Sequence, residues 1–154
     1  MRKFIFSIIL TLSTLSAFAQ NAQQKEAFQT FLNLFSDSTA VAYVDVGNQP
    51  LMLVSHETFG AESSDQLQAI AATICTLDAK GKIVCLGSIR SQGTLYPVSI
   101  LDGKLMTAGH EFVNVYEVKG NPADLYLDRT DGGKKLTDMF KKFEHSTPIL
   151  FKKK

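Results

Sequence analysis

Few side chains in this sequence are placed to do chemistry together. Cys75 and Cys85 are its only two cysteines. They flank the turn Asp78-Ala79-Lys80-Gly81, so a reversal of the chain there would set two thiols face to face. All three histidines neighbour a glutamate, as His56-Glu57, His110-Glu111 and Glu144-His145. An imidazole beside a carboxylate suits general acid–base work. Adjacent residues in a strand point to opposite faces, however, so adjacency alone does not build such a pair. His56 and His110 both fall at expected strand ends, where they could converge on one rim with Glu57 or Glu111. Asp124, Asp128 and Asp131 crowd a segment that ends in Gly132-Gly133. In outline that is a weak cation site, although its spacing is not that of an EF-hand.

The familiar catalytic signatures do not occur. There is no H-E-x-x-H or related metal spacing, no G-x-S-x-G elbow and no glycine-rich phosphate loop. The sequence therefore assigns no catalytic, cofactor-binding or metal-ligating residue. It assigns one pair, Cys75 and Cys85, as disulfide partners. The alternative is a buried pair of reduced, hydrophobic cysteines.

That pairing rests on register. A three-residue loop ending in a left-handed glycine is a favoured hairpin connection, because glycine alone takes that φ without steric cost. Folding back through Ala79-Lys80-Gly81 opposes Asp78 to Lys82, Leu77 to Ile83, Thr76 to Val84 and Cys75 to Cys85. Alternation then sets the cysteines at a non-hydrogen-bonded pair, where facing side chains approach most closely.

Residues 1–19 read as an export signal. Arg2-Lys3 is a basic start, Phe4 to Leu12 an apolar run, and Ala17-Phe18-Ala19 a small-x-small cleavage site. The apolar run is too short and too interrupted for a membrane span. Removing it leaves one domain over residues 20–151, followed by a lysine tail at 152–154. Without Arg2 and Lys3, the 16 basic and 15 acidic side chains of the whole chain become a mature net charge of about −1. That excludes the globally basic surface of a nucleic-acid binder. Export also places the cysteines where disulfides form.

The elements that must position these groups alternate between apolar strands and turns. Phe28, Phe31, Leu32 and Phe35 recur at helical spacing over residues 23–35. Strands are expected at Val41–Val46, Leu51–Val54, Ala69–Leu77, Lys82–Arg90, Leu95–Leu101, Lys104–Ala108, Phe112–Val118 and Leu125–Leu127. His56 to Ser64 reads as an irregular connection. Asp102-Gly103 is a strong two-residue hairpin signal. With Lys104 it echoes Asp78 to Lys82, as a blade-like repeat or, in the reading preferred here, as the same turn chemistry used twice in a meander. Leu136, Met139, Phe140 and Phe143 mark a closing helix over Lys134–Phe143. The fold class expected is α+β: one antiparallel meander of about seven or eight strands, flanked by an N-terminal and a C-terminal amphipathic helix.

Residues 41–54 run strand, DVGNQP turn, strand, and in this they resemble the DxDGDG-loop strand pairs of small exported bacterial FG-GAP-like domains. The resemblance implies a calcium loop. Asp45 is kept, but Gly47, Gln49 and Pro50 stand where further oxygen ligands would be needed, so the loop is expected to be metal-free. The functional expectation is an exported, non-enzymatic binding or accessory protein of the bacterial cell envelope, taking a protein or glycan partner and no cofactor. Tyr43, Tyr96, Tyr116 and Tyr126, on or beside strands, would serve such contacts if they face outward. The alternatives are a small hydrolase with a His/Glu rim and a degenerate calcium-binding β-repeat domain.

Overall fold

The computed structural model describes residues 22–60, 66–110, 112–129, 134–135 and 143–154. The chain divides into two compact units, Met1–Leu34 and Phe35–Lys154. In the first, residues 22–32 form a helix, α1, with Phe28 and Leu32 buried. It ends before Phe35 because Leu34 N bonds Phe31 O at 3.1 Å, a three-residue reach that tightens the last turn. The segment read as an export signal lies outside the described residues. No helix among the described residues is long and apolar enough to cross a membrane.

The second unit is built of strands. They are β1 (Ala40–Val46), β2 (Gln49–Phe59), β3 (Gln68–Leu77), β4 (Ile83–Arg90), β5 (Ser99–Leu101), β6 (Lys104–Ala108), β7 (Phe112–Asn121), β8 (Asp124–Arg129), β9 (Lys134–Lys135), β10 (Thr147–Pro148) and β11 (Lys152–Lys153). They form two antiparallel sheets, ordered β11-β1-β2-β3-β4 and β10-β5-β6-β7-β8, with β9 also on β7. This corrects the expectation of a single meander of seven or eight strands flanked by two helices. The strand-rich, antiparallel character holds, but the strands are shared between two sheets. Of the closing helix expected over Lys134–Phe143, most lies outside the described residues; Lys134–Lys135 are strand, and only Phe143 and Glu144 are helical.

The meander breaks between β4 and β5. The strand expected from Leu95 begins only at Ser99, as β5, and it pairs with β6 and β10 rather than with β4. Ser91 N bonds Ile70 O at 2.7 Å, Val98 N bonds Ala69 O at 2.8 Å, and the chain crosses into the second sheet. The buried Ser91 hydroxyl holds the crossing. It donates to Tyr96 O and accepts from Ala108 N at 2.8 Å. Ser91→Ala would strand a carbonyl and an amide at a site 1 % exposed. We expect a loss of about 1–3 kcal/mol of stability, read as a lower urea midpoint at unchanged slope.

The two sheets share one core. Ala42, Leu51, Leu53, Ala72, Ile74 and Ile89 from the first sheet pack with Val98, Leu105, Ile149 and Phe151, while Tyr116, Val118 and Leu127 of the second lie against them. On the outer face of the second sheet, Met106, Ala108, Val113 and Val115 are covered by Phe143 and Tyr96. The hairpin tips meet in pairs: Gly47 N bonds Gly103 O, and Ala79 N bonds Pro122 O, both at 3.3 Å. The C-terminal lysines, read as a tail, lie along β1. Lys153 pairs with Ala40, and Lys154 Nζ donates to Phe35 O at 2.9 Å.

Candidate functional site

The Cys75–Cys85 hairpin keeps the register that its turn dictates. Leu77, Thr76 and Cys75 oppose Ile83, Val84 and Cys85. Gly81 takes φ 75°, and the Asp78 carboxylate accepts from Lys80 N and Lys82 N, both at 2.8 Å. Beyond the cysteines the ladder slips by one residue, leaving Leu86 as a bulge on β4. Both cysteines are free thiols, with Sγ atoms 3.4 Å apart. Their surroundings differ. Cys75 is buried beside its β2 neighbour Met52, whereas Cys85 is exposed on β4, the edge strand of its sheet.

A second bulge builds the polar part of this surface. β2 does not end at Val54 but runs on to Phe59, through a segment expected to be irregular. Ser55 opposes Ala72 and Glu57 opposes Ala71, so His56 is an extra residue on β2. Residues opposed across a ladder share a face. Ser55 therefore lies with the core residues Ala72 and Ile89, while Glu57 lies with Ala71 and Arg90 on the other face. His56, next after Ser55, also turns to that other face. The bulge thus undoes the alternation that would separate a histidine from an adjacent glutamate.

Hydrogen bonds follow this placement across three strands. His56 Nε2 lies 2.5 Å from Thr73 Oγ1, and Thr73 Oγ1 lies 2.9 Å from Ser88 Oγ. Two residues along β4, Arg90 Nη1 reaches over the small Ala71 to Glu57 Oε2 at 3.1 Å. The hydroxyl of Thr73 can accept from Ser88 while donating to a neutral imidazole; a protonated His56 reverses the direction of the row. The row is a strip of donors and acceptors open to solvent. The hydroxyl in contact with the imidazole is that of Thr73, and Ser88 joins the row only through it. Sequence reasoning picked out His56 and Glu57 but missed Thr73, Ser88 and Arg90. Only the paired register of β2, β3 and β4 brings them together.

The other expected groups lie elsewhere. His110 is exposed in the β6–β7 turn of the second sheet, and Glu111 is outside the described residues. Among the described residues, no hydrogen bond or ion pair joins His110 to His56. Asp45 lies within β1, opposite Pro50, and only Gly47-Asn48 turn the chain, so the DVGNQP segment is a tight hairpin. Asp128 receives Lys119 Nζ at 2.6 Å, and Glu117 receives Lys104 Nζ at 2.7 Å. The hydrogen bond to Asp128 raises the pKa of Lys119. Asp131 is outside the described residues. No group of three or more His, Cys, Asp or Glu that could hold a metal ion comes together among the described residues.

The tyrosines divide. Tyr116 is half-buried against the shared core, and Tyr96 stacks obliquely on Phe143 with ring centroids 5.1 Å apart. Tyr43 and Tyr126 are half-exposed. Partial burial raises the pKa of Tyr43. A shallow pocket of about 180 Å³ opens beside Tyr96 and Phe143, walled by Leu95, Pro97, Glu144 and Pro148. No protein-family model, curated protein or solved structure matches this chain.

Proposed function

We propose that the protein is an exported, non-enzymatic binding module of the bacterial cell envelope, and that its ligand is a glycan met by the strip on β2, β3 and β4. The observation that carries this reading is the cross-strand row His56–Thr73–Ser88 beside the Glu57–Arg90 pair. Such a row offers hydroxyl, imidazole, carboxylate and guanidinium groups side by side on a rigid sheet. A sugar's vicinal hydroxyls donate and accept at similar spacing, so they can replace the bonds the row makes with itself and with water. Export is supported by the basic, apolar and Ala17-Phe18-Ala19 segments at the start of the sequence.

The test is calorimetric titration of the mature chain with soluble peptidoglycan fragments. Thr73→Val and Arg90→Ala should each weaken binding about tenfold, the equivalent of one lost hydrogen bond to a polar or charged group. Melting temperatures should stay within about 2 °C of the parent, since both side chains are at least partly exposed. The absence of binding, or binding that ignores both substitutions, would overturn the reading.

A further inference from the structure

We propose that Cys75 and Cys85 form an oxidisable pair with a set order of reaction: Cys85 takes the first bond from a disulfide donor, and Cys75 then closes the hairpin. Three observations carry this, independently of any glycan ligand. First, the two residues are Cα partners, and their sulfurs already touch at 3.4 Å. Counting outward from the Asp78 N to Lys82 O bond, the cysteines occupy a non-hydrogen-bonded pair. There the Cα atoms stand about 4.5 Å apart, within the range a disulfide spans. Second, access is one-sided. Cys85 is exposed on an edge strand, but Cys75 is 1 % exposed and lies between β2 and β4. Third, the Leu86 bulge directly follows Cys85, so the ladder is already interrupted where β4 must adjust.

The chemistry is thiol–disulfide exchange. The Cys85 thiolate attacks one sulfur of a donor R–S–S–R, the donor bond breaks, and R–S⁻ leaves with the electron pair. Cys75 then loses its proton, attacks the Cys85 sulfur of the mixed disulfide and expels the second R–S⁻. The two protein thiols are oxidised, the donor is reduced to two R–SH, and the two protons end on those thiols. Burial, with the neighbouring Cys85, pushes the Cys75 thiol up to about 12. That sulfur is therefore a poor first nucleophile, and it becomes effective only once its target is held beside it.

The experiment treats the reduced mature chain with excess glutathione disulfide and follows intact mass. The parent should lose two hydrogens and retain no glutathione. Cys75→Ala should stop as a mixed disulfide carrying one glutathione. Cys85→Ala should react at least about tenfold more slowly than Cys75→Ala while folded, and at a similar rate in urea. In case a variant misfolds, brief N-ethylmaleimide labelling of the reduced parent, followed by peptide mapping, reads the same order: Cys85 should be labelled at least about tenfold faster than Cys75. Equal labelling of the two, a parent that stops with one or two glutathiones, or a parent that does not react would each overturn the proposal.

Discussion

Phe151→Ala is expected to cost about 3–5 kcal/mol, although the residue stands only three positions from the end of the chain. Its ring is fully buried in the core shared by the two sheets, with Leu67, Val98 and Ile149 in the same cluster. Its backbone is held as well: Phe151 N bonds Leu67 O at 2.7 Å, and Leu67 N bonds Phe151 O at 2.9 Å. The surroundings cannot collapse freely onto the vacancy, because strands from both sheets line it and each is fixed by its own ladder. The loss is a large part of the 5–15 kcal/mol of stability usual for a domain. The adjacent Leu150 provides the control. It is 48 % exposed, so Leu150→Ala should stay within about 0.5 kcal/mol. Urea unfolding of the two variants separates an integrated C-terminus from a dispensable one. Equal, small effects would show that the last residues do not belong to the core.

How much of this could be read from residues alone depends on how far apart the deciding groups lie. The β3–β4 hairpin was legible because its turn, its glycine and its register all sit within Leu77 to Ile83, and the register holds as far as Cys75↔Cys85. Asp102-Gly103 was legible for the same reason, with both residues at positive φ. The division into two sheets was not. It turns on Ser91 and Val98 bonding back to β3 and on the Ser91 hydroxyl reaching Tyr96 and Ala108, contacts that periodicity does not encode. The β2 extension was hidden because its bulges break the alternation by which a strand is recognised. The candidate site suffered most. His56 and Glu57 drew attention by type, but Thr73, Ser88 and Arg90 acquire meaning only from strands paired across tens of residues of chain. The acidic cluster drew attention in the same way, yet its Asp128 is taken up by Lys119 in an ion-paired ladder.

Gly120→Ala is the second large effect expected, and it tests the least forgiving backbone contact in the second sheet. Gly120 takes φ +107° in β7, a region that L side chains rarely adopt. A Cβ there would stand 2.0 Å from the Asp124 carbonyl oxygen and 3.0 Å from its carbon. Those atoms belong to the strand directly opposite, since Gly120 pairs with Leu125 and Asn121 with Asp124. Backbone cannot rotate aside as a side chain would, so β8 must move off β7 or the turn at Pro122-Ala123 must open. Either movement pulls on Ala79, whose N–H bonds Pro122 O at the tip of the cysteine hairpin. Strain and displacement together should cost about 3 kcal/mol or more. Gly81→Ala isolates the strain: its φ is +75°, but nothing lies within 4 Å of the added carbon. That variant should lose about 1 kcal/mol. Because β8 is an edge strand, hydrogen exchange should report faster exchange across residues 124–129 in Gly120→Ala, and no such change in Gly81→Ala. If the two variants melt alike and β8 stays protected, the close approach of β7 to β8 is not what requires glycine at position 120.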